Sequence, residues 1–260
     1  EAAKQLEAVL RDFEPRHWQT RRVFMTRFEE IDAQMEEPMG DIGDTKRQLI
    51  GAYFCHEYSY AAAAIMNPSV VPHWDQSGMP EGSCRFIMSL RTVGEGHISS
   101  VAFREGIATE DGELRLAPEP PFATATDTAQ GEEEVPEGPV TVIRHQDSTL
   151  SGTVIFPITD AQRNGLEDLR LVQCTHEDGS TEWLGTYTAY SGREIQSELL
   201  RTRDWRHFDL KPIAGAASRN KGIALFPRKI GDHYMAIGRQ DGENLFLLKS
   251  DSLERWDGGD

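Results

Sequence analysis

Two stretches of the chain carry residue types that can do chemistry together: Gly165-Leu-Glu-Asp-Leu-Arg-Leu171 and Trp183-Leu-Gly-Thr-Tyr-Thr-Ala-Tyr190. The first reads as a strand that opens with an acidic pair and an arginine. The second reads as a strand of alternating aromatic and small residues. A carboxylic acid can protonate the leaving oxygen of a sugar bond or relay a proton to it, and an arginine can hold an anion or a hydroxyl. Glu-Asp-x-Arg alone is equally what a solvated strand end with a surface ion pair looks like, so its weight depends on the elements around it.

Those elements are of two kinds. Residues 1 to about 36 read as helix, with Leu6, Val9, Leu10 and Phe13 at helical spacing, a break at Pro15, and a second periodic run through Val23, Phe24, Phe28 and Ile31. The expected helical extension is 1–48. From 49 onward the pattern is one of short strands, at 49–54, 62–66, 84–91, 98–103, 140–145, 169–174, 183–190, 195–201, 222–226, 233–238 and 245–249. Asp111-Gly112, Asp178-Gly179, Ser191-Gly192 and Asp241-Gly242 are turn signals between them. The stretch 117–138, rich in Pro, acid and small residues, reads as a loop excursion.

The β region repeats. Leu199-Leu-Arg-Thr-Arg-Asp-Trp-Arg-His-Phe208 aligns with Leu247-Leu-Lys-Ser-Asp-Ser-Leu-Glu-Arg-Trp256 at an offset of 48, and a weaker copy begins at Phe86. Four-strand units recurring every ~40–50 residues are the mark of a β-propeller, with a β-sandwich as the rival. At that period the β region, 49–260, holds roughly four blades. The chain stops just after a blade-closing motif, and the expectation is a propeller cut short at its C-terminus.

Composition narrows the function classes. With 260 residues and a net charge of −16, the chain lacks the clustered Lys and Arg of a nucleic-acid surface and is poorly suited to anionic membranes. Cys55, Cys84 and Cys174 are far apart and follow no metal-ligand spacing, which points to free thiols in a reducing, cytoplasmic setting. His56-Glu57 is no metal pair, since neighbours on a strand point to opposite faces. Neither a dinucleotide fingerprint, a Walker-type loop nor a nucleophile elbow occurs. No cofactor is indicated.

Several segments together resemble glycoside hydrolase family 130, the β-mannoside phosphorylases and related β-mannosidases. They are Glu167-Asp-Leu-Arg170 with Thr186-Tyr-Thr-Ala-Tyr190, Asn220-Lys-Gly-Ile-Ala-Leu-Phe-Pro-Arg228, Asn67-Pro-Ser69, and Arg91 with Gly94-Glu-Gly-His-Ile-Ser99. The resemblance implies an all-β, five-bladed propeller behind the helical extension. It implies inverting cleavage of β-mannoside oligosaccharides, with Asp168 as the acid acting through a hydroxyl of the mannosyl ring, and inorganic phosphate or water attacking from the opposite face. It places Asn67 and Arg91 near the mannose, and Arg170, Lys221 and Arg239 at anion or sugar contacts. Two departures stand out: Leu169 replaces the family's usual Pro, and Gly238 stands where phosphorylases carry a phosphate-binding His.

Other candidates come from the residues themselves. Glu243, in the turn after Arg239, and Glu95 are possible bases for activating water. His97 is a possible sugar or phosphate contact, or a structural histidine. Tyr187 or Tyr190 offers a stacking wall, but not both, since they differ in strand parity; Tyr187 is preferred. Phosphorolysis to mannose 1-phosphate is the first expectation. Hydrolysis by water, or a non-catalytic propeller that binds glycans or protein partners, is the alternative, and a homo-oligomer is possible.

Overall fold

The computed structural model describes residues 1–129 and 138–258. Residues 130–137 of the expected acidic excursion, and the last two of the chain, lie outside the described residues. The chain divides into two compact units, one of residues 1–59 with 120–123, the other of 60–119 with 124–260.

The first unit is helical: α1 (Ala2–Phe13), α2 (Thr20–Gln34) and α3 (Asp44–Tyr53). Leu6 and Leu10 of α1, Phe24 of α2 and Leu49 of α3 bury their side chains in one cluster. Pro15, which has no amide hydrogen to donate, falls in the break between α1 and α2. Residues 49–54, expected as a strand, are instead mostly the second half of α3. A short apolar run has no period of its own, and packing decides it. Here a Cβ on Gly51 would stand 1.8 Å from the Phe24 carbonyl oxygen, so the glycine lets α3 lie directly on the backbone of α2. The helical unit therefore runs past the boundary expected at 48.

The second unit is all β. In chain order its strands are β1 (Ala64–Pro72), β2 (Cys84–Val93), β3 (Ser99–Ala108), β4 (Leu114–Leu116), β5 (Thr124–Ala125), β6 (Asp127–Thr128), β7 (Val140–Ile143), β8 (Thr153–Ile155), β9 (Gly165–Thr175), β10 (Thr181–Tyr190), β11 (Ile195–Thr202), β12 (His207–Pro212), β13 (Ala224–Leu225), β14 (Tyr234–Gly238) and β15 (Phe246–Ser250). Twelve form one mixed sheet of open order, and β13–β14–β15 form a second. The larger sheet is two antiparallel meanders, β1–β4 and β9–β12, with short strands β5–β8 attached. A single parallel bridge, Ser99 to Gly165, joins β3 directly to β9.

Strand alternation explains how the meanders stack. Trp183 and Leu200 turn one way, into a core shared with Val71, Ile87 and Phe103 of the first meander. Leu184 and Leu199 turn the other way, into a core shared with Ala236 and Leu248 of the third. A sheet buried on both faces carries apolar side chains on both parities, as β10 and β11 do. The 48-residue repeat matches strand to strand, β11 to β15, but the hairpins differ in register. Tyr187 faces Glu198, whereas Met235 faces Lys249. The turn between β14 and β15 is longer, and that shifts the pairing. Of the three cysteines, all free, only Cys174 is fully buried. No helix among the described residues is long and apolar enough to cross a membrane.

Candidate active site

The site is made by two bulges. In β1 the pairing with β2 jumps between Met66 and Ser69, and Asn67 sits at φ +51°. In β9 Thr188 pairs with Glu167 and Thr186 with Arg170, so that Asp168 and Leu169 together oppose Tyr187; Asp168 sits at φ +57°. Asn and Asp are the residues that tolerate this left-handed backbone best. A bulge re-aims side chains. In a regular strand Glu167 and Arg170, three apart, would face opposite ways. The extra residue puts both on the face of β10 that carries Thr186 and Thr188. Gly185 makes room for the fold-over, since a Cβ there would lie 2.5 Å from Leu169 Cδ1.

The bulged residues meet. Asn67 Nδ2 donates to Asp168 Oδ1 at 2.5 Å. Arg91, at the end of β2, donates from Nη1 to Asp168 Oδ1 at 3.0 Å, from Nη2 to Glu167 Oε1 at 2.8 Å, and from Nε to Ser99 Oγ at 3.0 Å. Lys221 Nζ donates to Glu167 Oε2 at 2.5 Å and lies 6.0 Å from the centre of the Tyr190 ring. Ser69 Oγ accepts from the Leu171 amide at 2.9 Å, tying β1 to β9 beside the two bulges. Arg91 therefore has every guanidinium nitrogen engaged by protein and acts as a clamp on the acidic pair.

Burial works to raise the Asp168 pKa, but the hydrogen bonds from Asn67 and Arg91 and the charges of Arg91 and Lys221 outweigh it. The net effect holds the carboxyl below its ordinary value. Asp168 at rest is a carboxylate, so to act as an acid it must first take up a proton.

A narrow cleft of about 40 Å³ opens beside it, lined by Asp168, Arg170, Thr188, Ser197, Lys221 and Arg239 among others. Arg170 and Arg239 have no ion pair or hydrogen bond among the described residues. Arg239 reaches over Gly222, where a Cβ would stand 3.1 Å from its Nε. Two unpaired guanidinium groups, with Lys221 beside them on Glu167, are groups chemically able to hold a phosphate or carboxylate.

Other sequence candidates fall elsewhere. The Tyr187 side chain is in the core, its hydroxyl on Glu198, and it is Tyr190 that borders Lys221. Glu243 is exposed in a turn closed by Asp241, whose carboxylate accepts the Glu243 and Asn244 amides. Glu95 and His97 lie exposed in the 3-10 turn Glu95–His97 between β2 and β3. None of these three lines the cleft. Gly238 is buried, and a Cβ there would come 2.6 Å from Leu248 Cδ1, so as packed this position has no room for the imidazole of the family pattern. The sequence reading assigns no role to Glu167, the residue that takes both Arg91 and Lys221; its place in the acidic pair beside Asp168 is the signal that points to it.

No family model and no curated protein matches the chain. Solved structures do. A glycosyl hydrolase from Bacteroides ovatus is 15% identical with a TM-score of 0.39, over 74% of this chain and 48% of that one. The β-1,2-mannobiose phosphorylase of Listeria innocua is 14% identical with a TM-score of 0.36, over 73% and 56%. A third, at 14% identity and a TM-score of 0.41 over 74% and 47%, is described among GH130 mannoside phosphorylases that include hydrolases of β-1,2 mannosidic linkages in Candida mannan. The chain spans about half the length of the structures it matches. At TM-scores below 0.5 no residue role is carried across, but GH130 mannoside phosphorylases are among the structures this chain is similar to.

Proposed function

We propose that the chain belongs to a carbohydrate-active enzyme that cleaves β-mannosidic bonds with inversion and passes the mannosyl group to inorganic phosphate. The supporting observation is the pair of unpaired arginines, Arg170 and Arg239, in the cleft that also holds Asp168 and Lys221. The stacked meanders are read as propeller blades, which bring strand ends distant in sequence to one mouth.

In the reaction a phosphate oxygen attacks the anomeric carbon while the glycosidic C–O bond breaks on the opposite face. The proton needed by the leaving oxygen comes by way of Asp168. In net balance hydrogen phosphate gives up its proton, the released sugar gains a hydroxyl, and Asp168 ends as it began. Phosphate raises the Asp168 pKa by like-charge proximity, which offsets the low resting value. Asn67, Arg91 and Glu167 hold Asp168 in place. Arg170, Lys221 and Arg239 hold the phosphate. Hydrolysis needs a second carboxylate to activate water, and Glu243 and Glu95 stand outside the cleft lining.

The test is incubation with β-linked mannobioses, with and without inorganic phosphate. Mannose 1-phosphate formed only with phosphate supports the proposal. Free mannose at a phosphate-independent rate replaces it with hydrolysis. No product of either kind moves weight to a non-catalytic glycan-binding propeller.

A further inference from the structure

Behind the bulge lies a buried polar cluster that the proposed reaction does not use. Tyr187 and Glu198 pair across β10 and β11. The tyrosine hydroxyl donates to Glu198 Oε2. Gln162 Nε2 donates to the same oxygen at 2.7 Å and to the Tyr187 hydroxyl at 3.1 Å. Gln162 Oε1 accepts the Ile158 amide at 3.1 Å, so the glutamine also fixes the turn that leads into β9. Gln162 is 1% exposed, and Tyr187 and Glu198 are 3% exposed each. No cation pairs with Glu198 among the described residues. Burial pushes its pKa up, against the hydrogen bonds from Tyr187 and Gln162.

A buried polar network of this kind is costly unless fully satisfied, and when satisfied it fixes one geometry. Its position matters. Tyr187 is the residue that stands opposite the two-residue bulge Asp168–Leu169. Anything that pins Tyr187 against the next strand therefore sets where the extra residue of β9 sits.

We propose that Tyr187, Glu198 and Gln162 are positioning residues, a buried clamp that holds the β9 bulge in register and so aims Asp168 into the cleft. The role for Asp168 rests on the proposed function; the clamp itself does not.

The experiment compares Tyr187→Phe, Glu198→Ala and Glu198→Gln with the unmodified protein. The readouts are amide hydrogen exchange across 165–171 and steady-state kinetics on mannobiose with phosphate. Loss of one buried hydrogen bond corresponds to about a tenfold change in a local equilibrium. Phe at 187 and Ala at 198 are expected to speed exchange at residues 168–171 about tenfold, while the β14–β15 hairpin is unchanged. They are also expected to lower kcat by a similar factor, with KM within about twofold. Gln at 198 keeps an acceptor oxygen and is expected to restore both. Unchanged exchange at 168–171 overturns the clamp, and so does faster exchange spread evenly over the whole β unit. If the unmodified protein turns over no mannoside, the exchange data still decide the clamp, and only the proposed function falls.

Discussion

The β9–β12 meander carries a buried, ion-paired glutamate toward each end, and the two could hardly be used more differently. At one end Glu182, 1% exposed, accepts from His176 Nε2 at 2.8 Å, Arg201 Nη2 at 3.0 Å and Arg203 Nε at 3.1 Å. All three partners lie within 21 residues of it on the same meander, and the strand pairing beside it keeps its register. At the other end Glu167 is held by Arg91, 76 residues away, and Lys221, 54 residues away, while its neighbour Asp168 reaches Asn67 across 101. That end also has two residues in left-handed conformations and an adjacent cleft with arginines to spare. Buried charge is therefore no mark of function in itself. Left-handed backbone and a charged cleft occur at both ends, at Trp205 and beside Arg228 and Lys229 as well; assembly from segments distant in sequence is what separates the proposed working end from the other.

The comparison is broken most sharply by Asp168→Asn. Asn accepts the same φ and keeps the shape, so the fold and ligand binding stay while turnover falls by about 10²–10⁴; steady-state assay and ligand titration read the two parts. A turnover that survives would make the two ends alike. Next come Arg170→Ala and Arg239→Ala, each expected to raise KM for phosphate by about ten- to a hundredfold, the worth of one hydrogen bond to a charged group. A rate that ignores phosphate in all three proteins would leave the cleft without an anion role.

Glu182→Ala probes the structural end. It strips two arginines of a buried partner, and the expected loss is about 1–3 kcal/mol in urea unfolding, with kcat unmoved. A large kcat change there would mean that the two ends are coupled. Gly185→Ala tests the bulge by sterics. Forcing a methyl against Leu169 is expected to cost about 1–3 kcal/mol and to lower kcat as well, which an overpacked site away from the bulge would not do.

The smallest effect is in pH. The Asp168 carboxyl titrates below its ordinary 3.8. Its share of the stability is thus complete above that value and is lost as pH falls through the depressed pKa. Asn67→Ala removes one of the bonds that depress it. The melting-temperature gap between the two proteins is expected to be constant near neutrality and to close as pH falls below the ordinary carboxylate range. A gap that ignores pH would mean that Asn67 contributes nothing to the carboxylate.

Much of this could be read in the sequence. Strands such as 84–91 and 195–201 have alternation and Gly-containing turns, and both lie within observed strands. Asn67, Arg91, Asp168 and Lys221 were singled out, and they are the residues the structure joins. What stayed hidden is the bulge. Strand parity is a rule for regular pairing, and one inserted residue reverses it for everything beyond. That is how Glu167 and Arg170 come to share a face, which their spacing does not show. The tyrosines differ in parity as expected, since β10 pairs regularly with β11, and which of their faces is core depends on the strands packed against them. The run at 49–54 was mistaken for strand for another reason: what made it helix was contact with α2, a tertiary fact. β4, β5, β6 and β8, two or three residues long, leave no periodic signal at all.

The lone bridge between Ser99 and Gly165 has a mechanical consequence. The first two meanders are stitched edge to edge at one point, and a Cβ on Gly165 would stand 2.7 Å from Ser99 Cβ, so the stitch is tight but short. Arg91 lies on one side of that seam and Asp168 on the other. A sugar seated on both would weld the halves, like a rivet through two plates. The halves already share one apolar core and the Arg91–Asp168 pair, so a loaded protein is expected to melt in the same single transition at a higher midpoint, and slower amide exchange on both sides of the seam would report that a ligand had bridged it.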